Sequence, residues 1–237
     1  LTVRDLDDSL VREFIDQGAS SIGSPKEMAE LCDVVITCLP SPIACSEVME
    51  AEDGVIAGLT EGKIWLEMST TDEAEIRRIG SLVESTGALP IDCPVSGGCH
   101  RADTGNISIF AGCKREAFER VLPILTTMGR RVLHTGDLGT ASTLKVMTNY
   151  LATVNLVSIS EALSTMKVLG MDMNVTYDAI KASSGNSFVH ETESQVILNG
   201  SRDISFTMDL VSKDVGIFNE LAERKGLDLE IAPMIVD

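Results

Sequence analysis

An α/β fold, with a largely parallel sheet followed by an all-helical domain, is predicted for this 237-residue chain by three features. Short continuous apolar runs recur through the first 136 residues, the mark of strands buried on both faces. Amphipathic helical stretches separate most of them, as a sheet covered on both sides requires. After Gly136 the strand-like runs give way to one long helical pattern.

Leu1–Asp5 reads as a short strand closed by an acid, and Asp8–Gln17 as a helix with Leu10, Val11, Phe14 and Ile15 along one side, stopped by Gly18. Ser24-Pro25-Lys26-Glu27 is a helix start: a serine cap, proline as the first helical residue, and glutamate at the third place of a capping box. Val34–Leu39 is a strand stopped by Pro40, and Ile64–Met68 one stopped by Ser69-Thr70-Thr71-Asp72. Ala88–Asp92, Ile107–Ala111 and Val132–His134 follow as strands, with helices over Asp72–Thr86 and Arg115–Met128. Ala141–Leu169 reads as one long helix that offers Leu144, Met147, Leu151, Val154, Leu156, Ile159 and Leu163 for burial. Further helices are expected at Val175–Ala182 and Phe206–Lys225. The domains are therefore placed at 1–136 and 137–237, with no internal repeat.

Composition narrows the function classes. Aromatics make up only 4% of residues, so the core must come from aliphatics, alanine and the ten methionines. A net charge of −17 opposes nucleic acid and anionic membranes as partners. No apolar run reaches 18 residues, so no membrane span is expected. The six cysteines (32, 38, 45, 93, 99 and 113) sit singly in or near apolar runs without a C-x-x-C pair. They read as small buried hydrophobes in a reducing, cytoplasmic setting. With three histidines and no ligand spacing among them, no metal site is expected.

Lys145 and Asn149 lie four apart on the long helix and share a face. Leu144, Val146 and Met147 flank the lysine, and a lysine withdrawn from water has a lowered pKa and can shuttle a proton near neutral pH. Asn149 is placed to hydrogen-bond a substrate hydroxyl or carboxylate; the plain alternative is a lysine snorkelling from an amphipathic helix. Pro94-Val95-Ser96-Gly97-Gly98 follows a strand, and paired glycines there let backbone N–H groups close on an anion, where an ordinary tight turn is the alternative. Leu39-Pro40 and Ser69-Thr70 stand at strand ends, where open parallel sheets bind ligands; Ser69-Thr70 also suits a helix cap. Asp5 closes the first strand, the place of an acid that accepts ribose hydroxyls, where an ordinary surface aspartate of an acidic protein is the alternative. Lys213-Asp214, as neighbours on a helix, are expected to make no mutual contact.

The ordered set resembles the 3-hydroxyisobutyrate dehydrogenase branch of the β-hydroxyacid dehydrogenase family. The matching stretches run from Asp33-Val34-Val35-Ile36-Thr37-Cys38-Leu39-Pro40 through Glu67-Met68-Ser69-Thr70, Asp92-Cys93-Pro94-Val95-Ser96-Gly97-Gly98 and Gly105-Asn106-Ile107. They continue with Gly136-Asp137-Leu138-Gly139, Lys145 and Asn149, Glu161-Ala162-Leu163, Ser184-Gly185 and Lys213-Asp214. The resemblance implies a Rossmann-like first domain and hydride transfer between NAD(P) and a small β-hydroxy acid or semialdehyde. It implies Lys145 as general acid–base, Ser96, Gly97, Gly98 and Asn149 as substrate-binding, and Leu39, Pro40, Ser69, Thr70, Asp5 and Lys213 as cofactor-binding. It also implies a small carboxylate substrate and a homo-oligomer, dimer or tetramer. Leu6 rather than a cation after Asp5 favours NAD over NADP.

Some features depart from the family pattern. The family's opening strand and Gly-x-Gly-x-x-Gly turn are not in this sequence, which opens at the second strand, and its closing helices are expected to be missing too. Thr148 occupies the histidine slot of the 6-phosphogluconate dehydrogenase-like branch, and His100-Arg101 stands where the isobutyrate enzymes often carry small residues. Arg101 beside the loop reads as favouring a second carboxylate, with tartronate semialdehyde as the expected example. Tartronate semialdehyde, γ-hydroxybutyrate and glyoxylate are the alternative substrates, and a non-catalytic dehydrogenase-like binding module is the alternative class.

Overall fold

The computed structural model describes residues 1–201 and 206–236. Its chain falls into two compact units, Leu1–Lys145 and Val146–Asp237. The first unit opens with β1 (Thr2–Val3), α1 (Asp8–Ile15), β2 (Ser20–Ser21) and α2 (Pro25–Leu31). It continues with β3 (Val34–Thr37), α3 (Pro42–Glu50), α4 (Val55–Gly58), β4 (Ile64–Glu67), α5 (Glu73–Ser85) and β5 (Leu89–Asp92). Then follow β6 (Val95–Ser96), α6 (Cys99–Asp103), β7 (Ile107–Gly112), α7 (Arg115–Met128) and β8 (Gly129–Gly136). Helix α8 (Thr140–Val168) begins in the first unit, and α9 (Met173–Lys181), α10 (Phe188–Asn199), α11 (Met208–Glu223) and α12 (Ile231–Val236) belong to the second.

The main sheet runs β3-β4-β5-β7, and both β6 and β8 pair with β7. The β3/β4, β4/β5 and β7/β8 ladders are parallel, while β5 and β6 meet β7 antiparallel. Side chains on β4 point alternately to the two faces. Ile64 and Leu66 join Ile91, Ile109, Val121 and Leu125 on the α7 side, while Trp65 joins Val35, Met49, Ile76 and Ile79 on the α3 and α5 side. Because both faces are covered, every residue of β4 is buried, which is why the strand reads as an unbroken apolar run up to Glu67.

Local chemistry sets the helix ends. Ser24 Oγ accepts from the Glu27 N–H at 3.2 Å, and Glu27 Oε2 accepts from the Gly23 N–H at 3.2 Å, so the expected capping box forms with its return bond one residue early. At the other end of α2, Lys63 Nζ donates to the carbonyls of Ala29, Glu30 and Cys32, supplying the donors that the helix end lacks.

Several expectations need correcting. Strand β1 pairs with β2 in a separate two-stranded ladder instead of joining the main sheet. No residue of α1 is buried, and Leu10, Phe14 and Ile15 on its apolar side are exposed. Amphipathic spacing states which face seeks cover, and no described element buries this one. On α8, Ile159 and Leu163 are buried as expected, but Leu144 and Leu151 are exposed. Only Cys45, Cys93 and Cys113 are buried cysteines, while Cys38 and Cys99 are exposed. The helices α3 and α10 were not anticipated, although Ser41-Pro42 and Ser187 provide serine caps that accept from Ala44 and His190 N–H groups.

Candidate active site

The carboxyl ends of β3, β4 and β5 carry one buried polar row. Thr37 lies opposite Glu67, and Glu67 opposite Asp92, in consecutive parallel ladders. Glu67 is fully buried and organises its surroundings by accepting hydrogen bonds: from Thr37 Oγ1 at 2.6 Å, Cys45 Sγ at 2.8 Å and the Ser69 N–H at 2.7 Å. Trp65 Nε1 donates to Thr37 Oγ1 at 2.8 Å and extends the chain of bonds. Burial, with the Glu67 charge beside it, drives the Cys45 thiol far up, so it stays a neutral donor.

This network fixes two strand-end segments. The Leu39 N–H donates to Ser69 Oγ at 2.7 Å, which ties the Leu39-Pro40 and Ser69-Thr70 ends together. Asp72, next in line, caps α5 by accepting from the Ala74 and Glu75 N–H groups. The cap role considered for Ser69-Thr70 therefore falls to Asp72, and Ser69 serves the strand ends instead. Asp5 is exposed after β1, and its Oδ1 accepts from the Asp7 N–H at 2.9 Å.

Past β5 the chain enters the glycine loop. Gly97 has φ 135° and Gly98 φ 81°, conformations that side-chain-bearing residues rarely adopt. A Cβ on Gly97 would lie 2.9 Å from Arg101 Cδ, so the stem of Arg101 covers the loop from α6. Ser96 and Gly97 are half-buried and Gly98 is exposed.

Lys145, on the second turn of α8, is only 8% exposed. Asn149 follows one turn on, in the second unit. There its Nδ2 donates to Asp214 Oδ2 at 2.5 Å, while Lys213 Nζ pairs with Asp214 Oδ1 at 2.9 Å. The expectation that Lys213 and Asp214 make no contact is thus corrected. Asp214 is 2% exposed, and the flexible lysine stem folds back to the neighbouring carboxylate because a buried charge must be paired. Asp214, which joins two predicted site residues, stands in the matching sequence stretches without a site role of its own, as do Glu67 and Thr37. Beyond its place in the Glu67-Met68-Ser69-Thr70 stretch, the sequence signal for Glu67 is an acid at the end of an unbroken apolar run.

Residues 1–136 match the family model for the NAD binding domain of 6-phosphogluconate dehydrogenase, and residues 139–235 match that for the NAD-binding of NADP-dependent 3-hydroxyisobutyrate dehydrogenase. The chain belongs to the β-hydroxyacid dehydrogenase family. Within this family it is 31% identical to the NAD-dependent L-serine dehydrogenase of Pseudomonas aeruginosa, over 94% of this chain and 77% of the relative. It is 28% identical to the 2-(hydroxymethyl)glutarate dehydrogenase of Eubacterium barkeri, over 97% of this chain and 77% of the relative. The solved 3-hydroxyisobutyrate dehydrogenase of Salmonella typhimurium superposes with a TM-score of 0.88 at 25% identity, covering 99% of this chain and 82% of that one. Membership in the 3-hydroxyisobutyrate-dehydrogenase-like branch brings the activity class, NAD(P)-dependent oxidoreduction of a hydroxy acid.

The residues present fit a dinucleotide cofactor. Leu39-Pro40 and Ser69-Thr70 stand beyond the carboxyl ends of adjacent parallel strands, the usual ligand position of such sheets. Beside them the buried Thr71 Oγ1 has no hydrogen-bond partner among the described residues, a hydroxyl available to a bound group. No described helix is long and apolar enough to cross a membrane.

Proposed function

We propose that Lys145 is the general acid–base of this oxidoreductase, and that Ser96, Gly97 and Gly98 hold the carboxylate of a small hydroxy acid. One observation carries the reading: a nearly buried lysine sits in the same compact unit as a glycine loop whose backbone is locked in the positive-φ region. In oxidation Lys145 Nζ takes the alcohol proton, and in reduction it returns one. The nicotinamide, when bound, supplies or accepts the hydride. Leu39, Pro40, Ser69 and Thr70 line its cleft, Asp5 accepts ribose hydroxyls, and Lys213 of the helical unit contributes to cofactor binding. Asn149 orients substrate, held in its rotamer by Asp214.

NAD is favoured over NADP because Asp5 repels a 2′-phosphate and Leu6 offers no cation. The substrate class is a 3-hydroxy acid of the isobutyrate or serine type. A second reading, a hydroxy dicarboxylate, is favoured by Arg101, whose stem lies over Gly97. Tartronate semialdehyde carries a single carboxylate and is not what this arginine selects. All six cysteines are free, in keeping with a reducing cytoplasm. The exposed apolar side of α1 supports assembly as a homo-oligomer.

The test is Lys145→Ala, assayed with 3-hydroxyisobutyrate and L-serine against NAD and NADP. General acid–base catalysis is worth about 10²–10⁴-fold, so kcat should fall by that order while the dissociation constant for NADH holds. Retention of kcat within about threefold removes Lys145 from the role.

A further inference from the structure

We infer that Asp92 is a positioning residue that sets Lys145 against the substrate loop, by clamping the start of α8 to the end of β5. The inference rests on Lys145 acting as proposed above. Asp92 is fully buried, and both its oxygens are engaged by one residue. Oδ2 accepts from the Ser142 N–H at 2.7 Å, and Oδ1 accepts from Ser142 Oγ at 2.7 Å. The Gly139 N–H also faces the carboxylate.

The placement gives these bonds leverage on both halves of the chemistry. Ser142 is the third residue of α8, and Lys145 follows at i+3 on the same helix face. A two-point grip on Ser142 fixes both the axial height and the rotation of that face. Asp92 is also the last residue of β5, four residues before Ser96. One carboxylate thus joins the strand that delivers the anion cradle to the helix that delivers the acid–base group. Gly112, opposite Asp92 in the sheet, shows how closely the helix start is seated. A Cβ there would meet Asp137 O at 2.9 Å and Ala141 N at 3.1 Å.

Stability alone does not account for this residue. Asparagine or serine caps a helix about as well as aspartate, without a carboxylate to desolvate. Here desolvation and the neighbouring Glu67 charge push the Asp92 carboxyl up to about 6, so a costly group is kept where a neutral one would hold the helix. What the ionised form adds is two short charge-assisted bonds that define one geometry.

Asp92→Asn and the milder Ser142→Ala, which keeps the backbone bond, test this in the holoenzyme with 3-hydroxyisobutyrate and NAD. In Asp92→Asn, kcat should fall about tenfold or more and KM stay within about twofold, because the loss lies in transition-state alignment and not in ground-state binding. The limb of the kcat–pH profile that Lys145→Ala abolishes should shift, a change that a merely structural role does not produce. Ser142→Ala should show the same pattern at about threefold, and carries the test if Asp92→Asn does not fold. If Ser142→Ala keeps the wild-type kcat and pH profile, the clamp is overturned, and so it is if a folded Asp92→Asn does. A Lys145→Ala enzyme that stays active overturns the acid–base reading instead, so the two failures are distinguishable.

Discussion

Replacing Asp92 with asparagine separates what this residue does for catalysis from what it costs the fold. Its carboxyl, ordinarily titrating at 3.8, is raised to about 6 in the folded protein, chiefly by desolvation. That gap corresponds to about 3 kcal/mol between protonation states, at 1.36 kcal/mol per pH unit. The folded state favours the protonated form, so the stabilisation is complete below pH 3.8 and is lost as pH rises through about 6. The amide of the Asp92→Asn variant has no such titration. Wild-type stability should therefore rise relative to the variant on acidification, by about 1.4 kcal/mol between pH 7.5 and 5.0. The groups facing Asp92 are Glu67 on β4, Cys93 beside it, and Cys113 after β7. Cys113 is pushed up to about 12 and Cys93 is also raised, so neither thiol titrates in this window. Glu67→Gln controls for the remaining neighbour. The assay is urea denaturation followed by Trp65, the single tryptophan, which is fully buried in the sheet unit. A stability difference that is flat across this range, or that moves the other way, refutes the argument, as does a pH dependence that vanishes in Glu67→Gln instead.

Three further outcomes are expected. Gly97→Ala forces a Cβ onto a positive-φ residue 2.9 Å from Arg101 Cδ; it should cost about 1–3 kcal/mol of local strain and raise KM for the hydroxy acid in steady-state assays. Glu67→Ala leaves the Thr37 hydroxyl, Cys45 thiol and Ser69 N–H without their acceptor; denaturation should show a loss of about 3 kcal/mol or more. Arg101→Ala should lower kcat/KM for a hydroxy dicarboxylate more than for 3-hydroxyisobutyrate, and an unchanged ratio between the two ends the dicarboxylate reading.

The amino-acid sequence by itself determined the class of fold and the order of its elements. Short apolar runs bounded by turn residues read as strands, with Pro40 and the Ser69–Asp72 segment marking where they stop, although only β4 is covered along its whole length and Ile36 and Leu133 are exposed. It also singled out Lys145, the Ser96-Gly97-Gly98 loop and the strand-end pairs as candidates, because glycine pairs and a lysine among apolar neighbours are conspicuous in one dimension. Tertiary structure alone decided which acids matter. Asp92 and Ser142 lie 50 positions apart, and Asn149 and Asp214 lie 65 apart. Whether a carboxylate is solvated or sealed depends on the elements folded over it. The uncovered side of α1 follows the same logic in reverse, since periodicity announces a face that wants burial while only packing supplies the cover.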